Sequence, residues 1–231
     1  MISSRTRGVA VLALILSTPA LRGQSGAHYR DFQLGGSLAS VAALSGAAAS
    51  DAKTIHQRPT LMQDLEWRPG FYLAGSTTLQ NDPVQQIIFS FYDDQLFRVL
   101  VDYDRQRTQG LTDSDLVEAL SAVYGSSAKS ALKKPGVSVS LLEIESGTPL
   151  ARWEDAESSI VLYRSPYGSG FRLIVTSVRL DALARTAAAQ AVRLDEREAP
   201  QREIERRKKE ADDTRASQAK ARLANKAAFR P

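Results

Sequence analysis

The chain has 231 residues, no cysteine and two histidines, and its 30 Lys or Arg against 26 Asp or Glu give a formal charge of +4. Without cysteine there can be no disulfide, no thiol nucleophile, no Cys/His zinc site and no lipid-attached cysteine. Arg5, Arg7 and Arg22 carry three of the positive charges, so the chain beyond them is near +1 (4 − 3), without the clustered basic face of a nucleic-acid binder.

Arg5 and Arg7 precede an unbroken apolar run, Val9 to Leu16, and Ser17, Thr18, Pro19 and Ala20 follow it. This order predicts a secretory signal peptide over 1–23, cleaved between 20 and 27. The run is far short of the about 20 residues that cross a bilayer. No second long apolar run follows, so neither a transmembrane segment nor a lipid anchor is expected. The expected location is periplasmic or secreted, with a globular domain over 29–194 and a charged tail over 195–231.

Ser37 is a good N-cap for a short helix with Leu38, Val41 and Leu44 at helical spacing, ended by Gly46. Ala47 to Ala52 either prolongs that helix or loops. Thr54 to Trp67 reads as extended, interrupted near Pro59, with Leu61, Leu65 and Trp67 on one face. Arg68 to Pro83 is rich in Gly, Pro, Ser, Thr and Asn and reads as a loop. A β-hairpin follows, with Ile87, Phe89 and Phe91 facing one side and Phe97, Val99, Val101 and Tyr103 facing one side after a turn at Asp93-Asp94-Gln95. Thr112 and Asp115 form an Asp variant of the capping box. The helix they open carries Leu116, Leu120, Val123 and Tyr124 as its stripe, and Gly125 is placed to end it. Val137, Val139 and Leu141 alternate as a strand, Trp153 lies in an extended piece, and Ser159–Arg164 with Phe171–Arg179 makes a second hairpin.

The fold class is therefore α+β: a mixed or antiparallel sheet with helices on one face and a long charged C-terminal helix. The order helix, Trp-bearing strand, hairpin occurs twice, which admits a degenerate αβββ duplication with Phe91-Tyr92 standing where Leu162-Tyr163 stands. This order resembles the small periplasmic α+β domains of the β-lactamase-inhibitor-protein type, and is similar to the small lipoprotein of the outer-membrane β-barrel assembly machine. The resemblance covers about Tyr29 to Leu180 and implies protein binding or assembly without catalysis. The acylated cysteine of the lipoprotein is absent, so membrane anchoring is not implied.

Leu180, Leu183, Ala187, Ala191 and Leu194, thickened by Ala184 and Ala188, predict a docked helix that Pro200 breaks or kinks. Beyond it, Glu198–Arg202, Glu203–Arg207 and Glu205–Lys209 are i, i+4 pairs supporting an exposed helix. The basic run Arg206, Arg207, Lys208 and Lys209 is flanked by acids that largely cancel it.

No catalytic or metal-binding residues and no cofactor are expected. His56 lacks the partners of a triad, and the acid pairs Asp93-Asp94, Asp102/Asp104 and Asp113/Asp115 fit a turn, a strand end and a helix start. The loop aromatics Phe71, Tyr72 and Tyr167, with Arg206, Arg207, Lys208 and Lys209 of the tail, are the candidate binding residues. The expected function is that of an exported, non-enzymatic protein-binding or assembly module whose partner is another envelope protein. Alternatives are a structural or stress protein whose tail contacts anionic cell-wall polymer, and a hydrolase acting on an envelope substrate. A nucleic-acid partner is not expected.

Overall fold

The computed structural model describes residues 28–69, 82–127, 146–165, 170–228 and 230. The predicted signal peptide and the predicted strand over Val137, Val139 and Leu141 lie outside these residues. Two short strands, β1 (His28–Tyr29) and β2 (Phe32–Gln33), form an N-terminal hairpin. Helix α1 (Leu38–Ser45) follows, then a 3-10 turn at Ala49–Asp51, which resolves the open reading of the alanine-rich stretch. Strands β3 (Lys53–His56), β4 (Met62–Trp67), β5 (Val84–Tyr92) and β6 (Gln95–Tyr103) lead to helix α2 (Asp113–Tyr124). Strands β7 (Thr148–Glu154), β8 (Ser158–Arg164) and β9 (Phe171–Ser177) lead to helix α3 (Val178–Ala228). The seven strands β3 to β9 make one antiparallel sheet in the order β3-β4-β5-β6-β9-β8-β7. The chain is thus α+β with a long C-terminal helix, and no helix among the described residues is long and apolar enough to cross a membrane.

The register has an internal two-fold pattern. Units β4-β5-β6 and β7-β8-β9 are both three-stranded meanders, and they meet through β6 and β9. The pairs Val99↔Val175, Leu100↔Ile174 and Val101↔Leu173 are symmetric about the middle pair. Trp67 faces Ile87, which faces Val101; Trp153 faces Ile160, which faces Val175. One step along, Leu65↔Phe89↔Val99 corresponds to Ala151↔Leu162↔Leu173. Leu162-Tyr163 therefore stands where Phe89-Ser90 stands, two residues before the Phe91-Tyr92 expected from sequence.

Burial separates the two faces of the sheet. On the first, Leu65, Trp67, Ile87, Phe89, Phe91, Leu96, Val99, Val101, Trp153, Ile160, Leu162 and Leu173 form the main core. Tyr29 and Phe32, Val41 and Ala42 of α1, and Leu116, Val117, Leu120 and Tyr124 of α2 cover it. At 0% exposure, residues such as Phe89 contribute about 1.5–3 kcal/mol each by leaving water. On the second face Met62, Phe97, Leu180, Ala184 and Ala187 form a separate cluster under α3. The expected one-face placement of helices holds for α1 and α2, whereas α3 lies against the opposite face.

Two expected faces change, for physical reasons. Phe91 pairs with Leu96 but Ser90 pairs with Arg98, so β6 carries one extra residue at Phe97. This bulge lets Leu96 and Val99 share the main core while Phe97 turns to the α3 side, not to the side of Val99. Met62, on the face of β4 opposite Leu65 and Trp67, is buried because α3 covers that face. Among helical positions, Leu44 and Val123 are exposed; Ala42 and Val117 fill their places on the stripes. Leu183 is exposed as well, and α3 buries Leu180, Ala184, Ala187 and Ala191. Arg179, expected to end the second hairpin, belongs to the first turn of α3.

Helix α3 also continues through Pro200. The Arg202 guanidinium reaches back across the proline, donating to the Asp195 carboxylate at 2.8 Å and to the Asp195 carbonyl at 3.2 Å. Both flanks are exposed, so water can satisfy the carbonyl left without the proline N–H.

Candidate functional site

The candidate residues separate into two places: one end of the sheet, and the exposed length of α3. At the sheet end stand the start of β5, the end of β6, the end of β8 and the start of β9, since Val84 pairs with Tyr103, Asp102 with Arg172 and Arg164 with Phe171. The chain segments joining β4 to β5, α2 to β7 and β8 to β9 all attach there. Phe71, Tyr72 and Tyr167 belong to two of these segments and lie outside the described residues. The described residues flanking them, Pro69 and Asp82, Ser165 and Gly170, mark where those segments leave the sheet.

A partly buried polar cluster anchors this end. The β1–β2 turn puts Arg30 at φ 52°, in the left-handed region, and aims its guanidinium at Asp82. Two hydrogen bonds of 2.7 Å form a bidentate pair, and the Val84 amide donates to the same carboxylate at 2.9 Å. Burial works to raise the Asp82 carboxyl; the Arg30 and Val84 hydrogen bonds together outweigh it and hold the group below the usual carboxylate value. Arg30 also sits 5.5 Å from the centre of the Tyr29 ring. Tyr29 and Tyr103 act on each other's hydroxyls, and burial pushes both up, Tyr103 the further. Burial likewise pushes Tyr124, whose hydroxyl donates to the His28 carbonyl at 3.4 Å, up to about 12. None of these residues was singled out from sequence for this role, because His28 to Asp31 stood beside the expected cleavage region and Asp82 lay in a segment read as loop.

The acids weighed as catalytic or metal-binding candidates have structural work. Asp93 and Asp94, at φ 48° and 59°, make the two-residue turn between β5 and β6. Asp94 also accepts the Leu38 amide at 2.9 Å, capping α1. Asp104 accepts the Gln106 and Arg107 amides at 2.9 Å. Asp102 pairs with Arg172 at 2.6 Å, and Asp113 pairs with Arg164. Asp115 completes the capping box with Thr112. Among the described residues no cluster of His and acidic side chains is arranged to hold a metal ion.

The equivalent tryptophans differ in their polar atoms. Trp153 Nε1 donates to the Gly125 carbonyl at 2.9 Å, tying the end of α2 to β7. Trp67 packs against Phe32 and Phe89, and its Nε1 is buried without a partner among the described residues.

On α3 the predicted pairing is partly replaced. Arg206 and Arg207 both bond Glu203, and Arg206 also bonds Glu210. Glu198 pairs with Arg58 at 2.6 Å instead of Arg202, which latches the helix to the β3–β4 connection. Lys208 and Lys209 are exposed and make no ion pair among the described residues, so the expected Glu205–Lys209 pair does not form. Of the basic run, only these two cations are free.

Comparison of the chain with protein-family models, curated proteins and solved structures finds no match.

Proposed function

We propose that this is an exported, non-enzymatic binding protein of the cell envelope that grips another protein with the sheet end built around Tyr29, Arg30, Asp82 and Tyr103. The observation that carries the reading is convergence. The β4–β5 and β8–β9 connections leave the same end of the antiparallel sheet, the α2–β7 connection enters β7 there, and a bidentate ion pair holds the root of the first beside Tyr29 and Tyr103. Loops positioned by a rigid scaffold are where recognition surfaces concentrate. The clustered acids already serve turns, caps and ion pairs, which favours binding over hydrolysis. The resemblance to periplasmic protein-binding domains, which rests on the order of helix, Trp-bearing strand and hairpin, points to the same kind of role. Phe71, Tyr72 and Tyr167 are the contact residues proposed within the connections.

The test uses the full chain in its native envelope, with a photo-crosslinking side chain placed at Gln109 in the β6–α2 connection or at Glu157 in the β7–β8 turn, at the opposite end. A single stoichiometric protein adduct from Gln109 and none from Glu157 is the expected result. Equal labelling from both positions, or none from Gln109, refutes the reading.

A further inference from the structure

The exposed part of α3 has a division of charge that its overall balance conceals. From Asp195 to Asp213 it holds eight acidic and six basic residues; after Asp213 it holds four basic residues and no acid, and Arg230 follows the helix (the tail total of +3 being −2 plus +5). The first stretch is laced by acid–base pairs, from Arg206 with Glu203 and Glu210 to Arg215 with Asp212 at 3.4 Å. In the second only Arg215 is paired, back to Asp212, and Lys220, Arg222 and Lys226 make no ion pair among the described residues. Helical geometry lines up three free cations with Arg215, whose one carboxylate contact is the long one to Asp212. Lys208, Arg215, Arg222 and Lys226 follow one another at seven, seven and four residues, which keeps them within about 40° of one another around the axis and spreads them over roughly 27 Å. Ala211 and Ala219 lie between them, too short to screen the row.

We propose that this row is a contact site for a linear acidic polysaccharide of the cell envelope. An Arg222–Lys226 spacing of i, i+4 opposes helix stability unless something neutralises it, and no side chain on the helix does. A flexible polyanion lying along the helix neutralises each cation in turn. The tail Asp195–Pro231 contains one aromatic residue, Phe229, where a stacking platform for nucleic-acid bases needs several, and its large apolar residues are only Ile204, Leu223 and Phe229, too few to bury in a lipid interface. Those features favour a carbohydrate polyanion over nucleic acid or membrane. The inference is separate from the sheet-end contact and rests only on the exported reading, which the N-terminal residue of the native protein checks by itself.

The experiment measures binding of the full chain to polygalacturonate, with duplex DNA and phosphatidylglycerol–phosphatidylcholine vesicles as competitors. At about fivefold per cation near an anionic surface, the combined Arg215→Gln, Arg222→Gln and Lys226→Gln variant should bind on the order of a hundredfold more weakly at low salt. The combined Arg206→Gln and Arg207→Gln variant, whose side chains already serve Glu203 and Glu210, should lose no more than a few-fold. All five positions are exposed, so both variants should melt as the parent does. Polygalacturonate binding that is absent, indifferent to the triple variant, or displaced more readily by DNA or vesicles than by polysaccharide overturns the proposal.

Discussion

Replacing Phe97 with alanine tests whether the bulge in β6 attaches α3 to the sheet. Phe97 is 1% exposed and shares a cluster with Met62, Leu180, Ala184 and Ala187. Three of those neighbours are small or flexible, and the alanines cannot extend to refill the ring's volume. A buried Phe→Ala change costs about 3–5 kcal/mol. The Arg98 guanidinium, 4.8 Å from the ring centre, loses a favourable contact as well. The upper half of that range is expected from urea melts. Hydrogen exchange gives the sharper reading: amides of Leu180–Ala191 should lose protection before those of α2 do. Phe89→Ala, on the opposite face, should cost a similar amount without releasing α3 first. A Phe97→Ala loss below about 1 kcal/mol, or α3 protection that falls only in step with α2, would refute the assignment of this face.

Truncation after Ala199 removes, among the described residues, only exposed side chains apart from the half-buried Glu203, with helix ion pairs worth about 0.2–0.5 kcal/mol each; calorimetry should find the remaining domain melting within a few degrees of the full chain, and a collapse would mean the distal helix is docked. Asp82 is held below its ordinary pKa, so its contribution is present above the unfolded carboxylate value of about 3.9 and lost as pH falls through the folded one; the stability gap between the parent and Asp82→Asn should be constant near neutrality and close below about pH 4. Tyr124 is raised to about 12, so its contribution is full below about pH 10 and fades between there and its folded value. Tyr124→Phe should flatten the loss of stability across that alkaline interval, and an unchanged slope would show that Tyr124 titrates like an exposed phenol.

The strongly periodic elements were legible because each local signal had one consistent structural outcome. The β5–β6 hairpin, the Thr112 capping box and the Ser37 cap follow from residues within a few positions of one another. What escaped the sequence depended on partners far along the chain. The Phe97 bulge becomes favourable only when α3 supplies an apolar surface on the second face, and nothing near Phe97 announces that helix. Pro200 signals a break by local rules, yet Arg202 staples the helix across it. The sheet-end cluster joins Arg30 to Asp82 over 52 positions and Tyr124 to His28 over 96, separations at which composition carries no information. The polar fate of the tail was legible, but grouping its charges into one sum hid where the acids stop.

The two-fold register and the two candidate surfaces bear on each other. A symmetric pair of meanders gives each connection at one end of the sheet a counterpart at the other: the segment between β4 and β5 corresponds to the short turn at Asp155–Ser158, and the segment between β8 and β9 to the two-residue turn at Asp93-Asp94. In each pair the longer member lies at the end anchored by Arg30 and Asp82, and the shorter at the end from which α3 starts. The tight turns leave that opposite end low, so α3 can cross the second face from β9, over Phe97 and Met62, to the Arg58 latch beside β3. Its remaining length, Ala199–Ala228, then runs on for roughly 45 Å past that edge. Unequal elaboration of two like units thus separates a loop-bearing end from a helix-bearing end. On the two proposals made above, the protein partner and the polyanion would occupy separate ends of the molecule.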